Sequence, residues 1–322
     1  MVAGLHGKIQ ENESITNIVG IYVLNNQSSK SIPTALPVCV LCGSNENREI
    51  QVGVRFNSHL VVRSCNSCEL VFVWPRPTPE EEIEYYKTSY RNEYQGSVTP
   101  EKTYNKSSVE AGERVNRMTP LLSSEMQILD VGASSGAFLN TVKSQVHSVM
   151  GVEPDQAHRS WAQTQLKLDM VRDISELDKK RFHLITLFHT LEHIPDPVTF
   201  LRTLAGYLIP GGKIIIEVPN ADDALLTLYK LPSFARFYYQ RAHIYYFSEK
   251  NLLNSIQIAG GLAKVTGIQR YDLSNHLRWL ITEEPGGQNY YQDIFHAKAT
   301  DAYAEDLIKA GYADTLWAVA QF

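Results

Sequence analysis

The chain has 322 residues, a formal net charge of −5 and 43% hydrophobic residues. This length suits one full hydrophobic core with a smaller accessory unit. The basic residues are scattered and form no stripe, which argues against nucleic acid as a partner. No apolar run approaches the roughly 18 residues that a membrane helix needs, and the apolar residues 18–24 lack a signal peptide's cleavage site. We therefore expect a cytoplasmic protein with no membrane partner.

Composition and motifs divide the chain into four predicted segments. The first 36 residues are polar and rich in Asn and Ser, which is typical of a loosely held extension. The full division is a polar extension (1–36), a zinc-ribbon-like unit (37–78), a helical linker region (79–125), and an α/β domain (126–322) with insertions near 230–247 and 272–312. Within the linker region we predict a Tyr-rich helix over 80–94, an irregular stretch over 96–108 and a helix over 109–122.

All four cysteines fall in one pattern. Two residues lie between Cys39 and Cys42, and two lie between Cys65 and Cys68. A further 22 residues lie between the two pairs. Two such pairs present four thiolates to a tetrahedral zinc ion. Disulfides and redox chemistry are the competing interpretations, but a cytosolic chain without a spare cysteine favours zinc. Four sulfur ligands leave no position for water, so the predicted zinc is structural and has no catalytic role.

A strand that runs through a turn of small residues into a helix is predicted at 128–139. Gly132 and Gly136 allow the backbone to approach a ligand closely, and the helix start presents N–H groups to it. A dinucleotide fingerprint would need glycine at Ser134, so the turn suits a ligand with an amino-acid moiety and no pyrophosphate. Glu153 ends the next apolar run, where a carboxylate accepts both hydroxyls of a ribose.

Strands and helices then alternate, which indicates a parallel sheet covered by helices. The predicted strands are 128–132, 147–153, 168–171, 182–189 and 213–219, and the predicted helices are 136–145, 155–166 and 196–208. We expect the pair Gly211–Gly212 to end the last of these helices. Leu262–Ile268 and Thr315–Ala320 are two further predicted strands, on either side of a long connection.

Three ordered segments carry a resemblance to a known family. They are the turn Asp130–Gly136, the run Phe182–Pro197 with its Leu191-Glu192-His193 core, and Leu208–Asn220 with its glycine pair. Together they resemble the class I S-adenosylmethionine-dependent methyltransferases. With the cysteine head, the resemblance extends over about residues 37–322 and includes methyltransferases of sugar, glycan and natural-product pathways. It implies a seven-stranded Rossmann-like sheet, whose last strand runs antiparallel between its two predecessors, with a small N-terminal zinc ribbon.

The resemblance also implies residues for the methyl donor, S-adenosylmethionine. Gly132, Ala133 and Gly136 would line its methionine part, and Asp130 would order the turn or reach the amino group through water. Glu153 would bind the ribose hydroxyls. The remaining implied contacts are Asp173 and the backbone of Ile174 to adenine, and His189 against the cofactor at the end of the strand 182–189. A helix cap is an equal alternative for Asp173.

Two histidines are candidates for removing a proton from the methyl acceptor. His193 and His243 are able to take a hydroxyl proton near neutral pH, although His193 is also suited to bracing the loop after its strand. His243 follows an aromatic segment, 234–239, which would roof a sugar-binding pocket, pack a lid helix or form a homodimer interface. Arg236 and Arg241 would hold a phosphate or remain solvated.

Three classes of function follow from these features. We expect a methyltransferase that acts on oxygen or carbon of a small molecule, such as a sugar, a sugar nucleotide or a natural-product precursor. The alternatives are a macromolecule methyltransferase that docks protein or RNA through its zinc ribbon, and a cofactor-binding protein that has lost turnover. The acidic net charge argues against the first alternative, and the complete Asp130, Gly132, Gly136 and Glu153 set argues against the second.

Overall fold

The computed structural model describes residues 37–78, Glu81, Tyr85 and 99–322. The predicted extension 1–36 and nearly all of the predicted helix 80–94 lie outside these residues. The described residues belong to two compact units: one holds those between 77 and 186 together with 207–212, and the other holds those up to 76, 187–206 and 213–322. None of the described helices has the length and apolar character to cross a membrane.

The described residues form two β-sheets. Their strands are β1 (Asn47–Val54), β2 (Asn57–Cys65), β3 (Val71–Trp74), β4 (Gln127–Val131), β5 (Ser148–Val152), β6 (Asp169–Val171), β7 (Phe182–Phe188), β8 (Leu208–Pro219), β9 (Tyr245–Tyr246), β10 (Leu262–Ile268) and β11 (Thr315–Gln321). Seven of them have the order β10-β11-β8-β7-β4-β5-β6. β4 runs parallel to β5 and β7, and β11 runs antiparallel to β10 and β8. The predicted seven-stranded α/β fold with an antiparallel last strand is confirmed.

Along the chain, helices precede and connect the strands of this sheet. They are α1 (Pro100–Met118), α2 (Ala137–Val142), α3 (Gln156–Gln165), α4 (Pro197–Ala205), α5 (Ala224–Thr227), α6 (Pro232–Tyr238), α7 (Glu249–Ala259), α8 (Leu273–Thr282) and α9 (Ala297–Ala310). Side-chain caps start several of them: Asp155, Asp196 and Ser248 each accept a hydrogen bond from a backbone N–H three residues later. The long connection before β11 therefore contains two helices, α8 and α9.

The predicted irregular stretch over 96–108 was wrong from residue 100 onward. Helix α1 begins at Pro100 and continues without interruption to Met118. Thr99 caps it by accepting a hydrogen bond from the backbone N–H of Lys102, and proline fits the first helical position because its missing N–H is not needed there. The polar residues that suggested a linker instead form the solvent-facing side of this helix.

The predicted role of the glycine pair Gly211–Gly212 was also wrong. Helix α4 ends at Ala205, with Gly206 as its cap, and the glycine pair lies within β8. Gly211 has φ +79°, which is the left-handed conformation that glycine adopts without strain. The pair therefore bends the beginning of β8.

The second sheet lies within the second unit and has the order β1-β2-β3-β9. The hairpin β1–β2 occupies the chain between Cys42 and Cys65. β3 pairs antiparallel with β9, so Val71 lies opposite Tyr246. The side chain of Asn251 also donates a 2.7 Å hydrogen bond to the carbonyl of Cys68. A strand and a helix from much later in the chain thus complete the cysteine-bearing head.

The turn between β4 and α2 contains three residues in the left-handed region. Gly132, Ser134 and Gly136 have φ values of +86°, +50° and +77°. A Cβ atom on Gly136 would lie 2.5 Å from Cδ1 of Leu168 and 3.4 Å from Cβ of Ala162. Gly136 is therefore required by the packing of its own unit as well as by its backbone conformation.

We predict that Gly136→Ala destabilises the protein more than Gly211→Ala does. Both glycines have φ near +78°, but a Cβ on Gly211 meets no atom within 4 Å. Both variants carry backbone strain of about 1–2 kcal/mol, and only Gly136→Ala adds overpacking of about 1–3 kcal/mol. Urea unfolding of the two variants beside wild type measures the difference. Equal destabilisation would contradict the packing role of Gly136.

Candidate functional site

The turn after β4 is held in place by backbone hydrogen bonds to the end of β5. The N–H groups of Gly132 and Ala133 both donate to the carbonyl oxygen of Val152, at 2.9 and 3.0 Å. The N–H of Gly136 donates to the carbonyl of Ala133 at 2.8 Å. These bonds close the turn upon itself and leave the start of α2 beside it. The backbone of the turn is thus fixed relative to the end of β5.

Glu153 fixes the same turn with its side chain. Its Oε2 accepts a 2.7 Å hydrogen bond from the N–H of Ser134, and its Oε1 accepts a 2.8 Å bond from the N–H of Asp155. The residue is 8% exposed. Each carboxylate oxygen has a further lone pair, so Glu153 is able to accept ribose hydroxyls while it holds the turn.

Asp130 and Ser135 are the other polar side chains of this region. Oδ1 of Asp130 accepts a 2.7 Å hydrogen bond from the hydroxyl of Thr186 on β7, which links two parallel strands. Ser135 is 1% exposed, and its Oγ has no hydrogen-bond partner among the residues described. A buried hydroxyl without a partner is unfavourable, so it fits a site completed by a polar ligand. Sequence reasoning missed Ser135.

Asp173 caps a short helical turn, Ile174–Leu177. Its Oδ1 accepts a 2.7 Å hydrogen bond from the N–H of Ser175, and Glu176 bonds back to the N–H of Asp173. Ile174 is buried, and its carbonyl accepts a 3.0 Å bond from the hydroxyl of Tyr207. The capping alternative for Asp173 is thus present, and the adenine contact stays a prediction.

His189, directly after β7, lies in a network of charged groups within the second unit. Its Nε2 is 3.0 Å from Oε1 of Glu217 and 2.7 Å from Nη1 of Arg270, and its Nδ1 is 3.4 Å from Oε1 of Glu192. Burial lowers the pKa of His189, but its contacts with the carboxylates of Glu192 and Glu217 outweigh the burial, and the net direction is upward. Sequence reasoning missed Glu217 and Arg270, although a glutamate inside the apolar run of β8 was a signal.

Glu192, His193 and His243 converge in the same unit. Their ligand atoms all lie within 4.8 Å of one another. The rings of the two histidines meet edge to face, with centroids 4.8 Å apart, and Nε2 of His243 is 3.9 Å from Oε1 of Glu192. Nδ1 of His193 lies 2.8 Å from the carbonyl of Ala242, to which it donates. The structure therefore brings together both histidines that the sequence singled out.

The environment of these histidines disfavours their charged forms. Burial lowers the pKa of His243 to about 3, and the neighbouring His193 adds to the effect. Burial also lowers the pKa of His193, in spite of the nearby carboxylate of Glu192. Both imidazoles are neutral at pH 7. A base with so low a pKa provides little driving force for removing a hydroxyl proton, which weakens the predicted role of His243 as an unaided general base.

The aromatic segment before His243 packs inward. Phe234 is buried and meets Trp279 edge to face at 5.1 Å, and the residues Tyr245, Tyr246 and Phe247 are at most 1% exposed. The hydroxyl of Tyr246 accepts a 2.7 Å bond from the N–H of Gln240. Phe234, Tyr239 and Tyr246 belong to core clusters, and Phe237 and Tyr238 are partly buried against them. Of the two arginines, Arg236 is exposed on α6 and Arg241 is half-buried.

The four cysteines form a cluster whose dimensions fit a zinc ion. Sγ of Cys39 lies 3.5 Å from Sγ of Cys68, and the same distance separates Cys42 from Cys65. Sulfur atoms 2.3 Å from a tetrahedral zinc are about 3.8 Å apart, whereas a disulfide bond is about 2.0 Å long. All four thiols are free. The donor set and its spacing therefore fit zinc and exclude disulfides in this conformation.

The predicted site residues divide between the two units. Those predicted for the cofactor in the first unit are Asp130, Gly132, Ala133, Gly136, Glu153, Asp173 and Ile174, and those in the second are His189, His193, His243 and the four cysteines. The first group surrounds the ends of neighbouring strands β4, β5 and β6, which is where open α/β sheets bind ligands.

Comparison with known proteins agrees with this fold and turn. Residues 105–260, just under half of the chain, match a family model described as "Methyltransferase domain". This part of the chain, which includes the turn after β4, is therefore similar to that family.

Curated relatives match part of the chain. A ubiquinone biosynthesis O-methyltransferase of Xanthomonas euvesicatoria pv. vesicatoria is 25% identical over 162 residues, which cover 47% of this chain and 66% of that protein. The protein of the same name from Coxiella burnetii is 32% identical over 103 residues, covering 30% of this chain and 44% of that protein. The chain thus spans less than two thirds of the length of these relatives.

Solved structures match over more of the chain. A SAM-dependent methyltransferase from Archaeoglobus fulgidus has a TM-score of 0.47 and 17% identity, covering 74% of this chain and all of that one. An S-adenosylmethionine-dependent methyltransferase from Mesorhizobium loti has a TM-score of 0.44 and 14% identity, covering 65% of this chain and 96% of that one.

We predict that Glu153→Gln weakens binding of S-adenosylhomocysteine at least about tenfold. In wild type the carboxylate accepts hydrogen bonds from two backbone N–H groups. The amide nitrogen of glutamine would face one of these N–H groups and could not accept from it, so the turn loses one hydrogen bond and the ribose hydroxyls lose one acceptor. Thermal unfolding with and without the ligand measures the change. Glu125→Gln, the same substitution at an exposed residue, is the control. A ligand-induced rise in Tm equal to wild type would contradict the role of Glu153.

We predict that Cys42→Ser lowers both the zinc content and the Tm. Serine does not supply the thiolate that zinc prefers, and the head then loses the ion that joins its two Cys-x-x-Cys pairs. Mass spectrometry of the native protein and thermal unfolding measure the two effects. Ser67→Ala, at an exposed residue beside Cys68, should keep both values. Unchanged metal content in Cys42→Ser would overturn the zinc assignment.

Proposed function

We propose that this protein is an S-adenosylmethionine-dependent methyltransferase that methylates a hydroxyl oxygen of a small molecule. The observation that carries the proposal is the turn 132–136, which Glu153 ties to the end of β5. This turn contains the hydroxyl of Ser135, which is buried and has no hydrogen-bond partner among the described residues. Such a turn offers a buried hydroxyl and a carboxylate to one ligand. These groups suit the amino acid and ribose of the cofactor.

Each cofactor residue has a proposed role in this function. Gly132, Ala133 and Gly136 line the methionine part, and Asp130 keeps the turn in register through its bond to Thr186. Glu153 binds the ribose hydroxyls. The proposed adenine contacts are the side chain of Asp173 and the backbone of Ile174, and His189 is proposed to lie against the cofactor after β7.

Methyl transfer requires mainly that the protein align the cofactor and the acceptor. The sulfonium of the cofactor is already a good leaving group, and the acceptor oxygen attacks its methyl carbon in line. The chain therefore has to exclude water and hold the acceptor. We propose Glu192, His193 and His243 as the residues that meet the acceptor, because they form a polar cluster in which Glu192 is buried and both histidines are partly buried.

The acceptor class is supported by two observations. The curated relatives that match the domain are named O-methyltransferases, which supports oxygen as the acceptor atom. The net charge of −5 supports a small acceptor over an RNA partner. Within this class we propose a sugar-linked acceptor, because the four-cysteine head resembles that of methyltransferases in sugar and natural-product pathways. A structural zinc ion in the head is part of the same proposal.

The test is transfer of a radiolabelled methyl group from S-adenosylmethionine. Acceptors are offered in three fractions: hydroxylated small molecules with sugar nucleotides and a metabolite extract, total protein, and total RNA. We expect label in the small-molecule fraction, in a product that resists alkali as a methyl ether does. Glu153→Gln should reduce the label at least about tenfold.

Two results would contradict the proposal. Label in the protein or RNA fraction would identify a macromolecule methyltransferase. Cofactor binding without transfer to any fraction would identify a protein that has lost turnover.

A further inference from the structure

A cavity of about 940 Å³ lies within the second unit, beside the cysteine-bearing head. The parts of that unit that surround it are the head from β1 to β3, residues in the segment 221–227, Tyr239 and helix α7 with Ser248 before it. Its volume is in the range of sites that hold a small molecule. Its lining includes none of the residues assigned above to the cofactor or to the cluster of histidines.

The cavity lies next to the end of strand β8. Ala221 and Asp222, which line it, follow the last residue of that strand, Pro219, by two and three positions. Open α/β sheets bind ligands outside the carboxyl ends of their strands. The cavity is therefore in a place where a fold of this class binds small molecules.

The charged groups of the cavity do not suit an anion. Three carboxylates and two cations line it, namely Glu69, Asp222, Glu249, Arg48 and Lys250. Both cations already have partners: Nζ of Lys250 is 3.6 Å from Oε2 of Glu69, and Nη1 of Arg48 donates to Oδ1 of Asn66 at 3.3 Å. A phosphate group would thus meet two carboxylates without a cation to neutralise them, which is unfavourable.

Asp222 offers its carboxylate to a ligand in the cavity. Within the described chain its hydrogen bonds are made by its backbone: the N–H donates to Oδ1 of Asn220 at 3.0 Å, and the carbonyl accepts from the hydroxyl of Thr227 at 2.9 Å. Burial raises the pKa of Asp222, and the charge of Glu69 adds to this effect. A ligand hydroxyl that donates to the carboxylate would offset part of the cost of its burial.

One face of α7 adds groups that both donate and accept hydrogen bonds. Lys250, Asn254 and Gln257 line the cavity, and their spacing of four and three positions places them on the same side of the helix. A side-chain amide has two N–H donors and a carbonyl acceptor. An ammonium ligand would have donors only, whereas a sugar hydroxyl both donates and accepts. The mixture of carboxylate and amides therefore favours a sugar.

From these observations we propose that the cavity binds the sugar of a neutral glycoside. Asp222, Asn254 and Gln257 bind its hydroxyls, and Ile50 and Leu253 supply apolar surface for its ring carbons. The inference rests on the proposed function and narrows it, because the bound sugar is then part of the methyl acceptor. It also gives the cysteine-bearing head a task, since the head forms one wall of the acceptor site.

The test is saturation-transfer NMR of the full-length, zinc-loaded protein with methyl glycosides of neutral hexoses, 6-deoxyhexoses and pentoses at millimolar concentration. We expect at least one glycoside to bind. Asp222→Asn and Asn254→Leu should each weaken its binding at least about tenfold, because each removes hydrogen bonds to the sugar. Asp301→Asn and Asn116→Leu, the same substitutions at exposed residues of other helices, should not change it. Pyrophosphate and methylammonium should not displace the glycoside.

Thermal unfolding shows whether each variant is folded, and Gln257→Leu replaces one that is not. Wild type that binds none of the glycosides, or whose glycoside is displaced by pyrophosphate or methylammonium, would overturn the sugar site. Folded variants that bind the glycoside as wild type does would also overturn it. Calorimetry with S-adenosylhomocysteine separates the two proposals. Glycoside binding without binding of this ligand would uphold the sugar site and defeat the proposed function, and the reverse result would defeat the sugar site alone.

Discussion

The carboxylate of Glu153 is the constraint on which the cofactor site depends. One oxygen holds the N–H of Ser134, and the other holds the N–H of Asp155, so a single side chain joins the turn after β4 to the segment after β5. The turn needs this support because three of its residues have positive φ, one of them a serine. This carboxylate is thus a structural link, and in the proposed function it is also the acceptor for the ribose hydroxyls.

Sequence reasoning was most successful where local pattern and burial agree. Buried β-branched runs placed β4, β5 and β7 to within about a residue, because strands covered on both faces are apolar throughout. It failed at residues 100–108 and at Gly211–Gly212, where the same residue types serve two purposes. Proline occurs at the start of a helix as readily as in a loop. A glycine pair occurs within a strand as readily as at the end of a helix.

The histidine cluster shows where a sequence alone is insufficient. His193 and His243 were candidates from their neighbours in the chain, yet they are 50 positions apart and no spacing rule brings them together. Their lowered pKa values come from burial, which only the folded chain provides. The 3.4 Å approach of His189 to Glu192 is likewise a property of the folded chain. The structure therefore weakens the role of His193 and His243 as unaided proton acceptors.

The central claim is that the turn after β4 binds S-adenosylmethionine and not a dinucleotide. Calorimetric titration of the zinc-loaded wild-type protein with S-adenosylhomocysteine, and separately with NAD, tests it directly. The account predicts one equivalent of S-adenosylhomocysteine with micromolar affinity, and no binding of NAD, because Ser134 occupies the position that a pyrophosphate-binding turn gives to glycine. Binding of NAD in place of S-adenosylhomocysteine, or of neither, would contradict it.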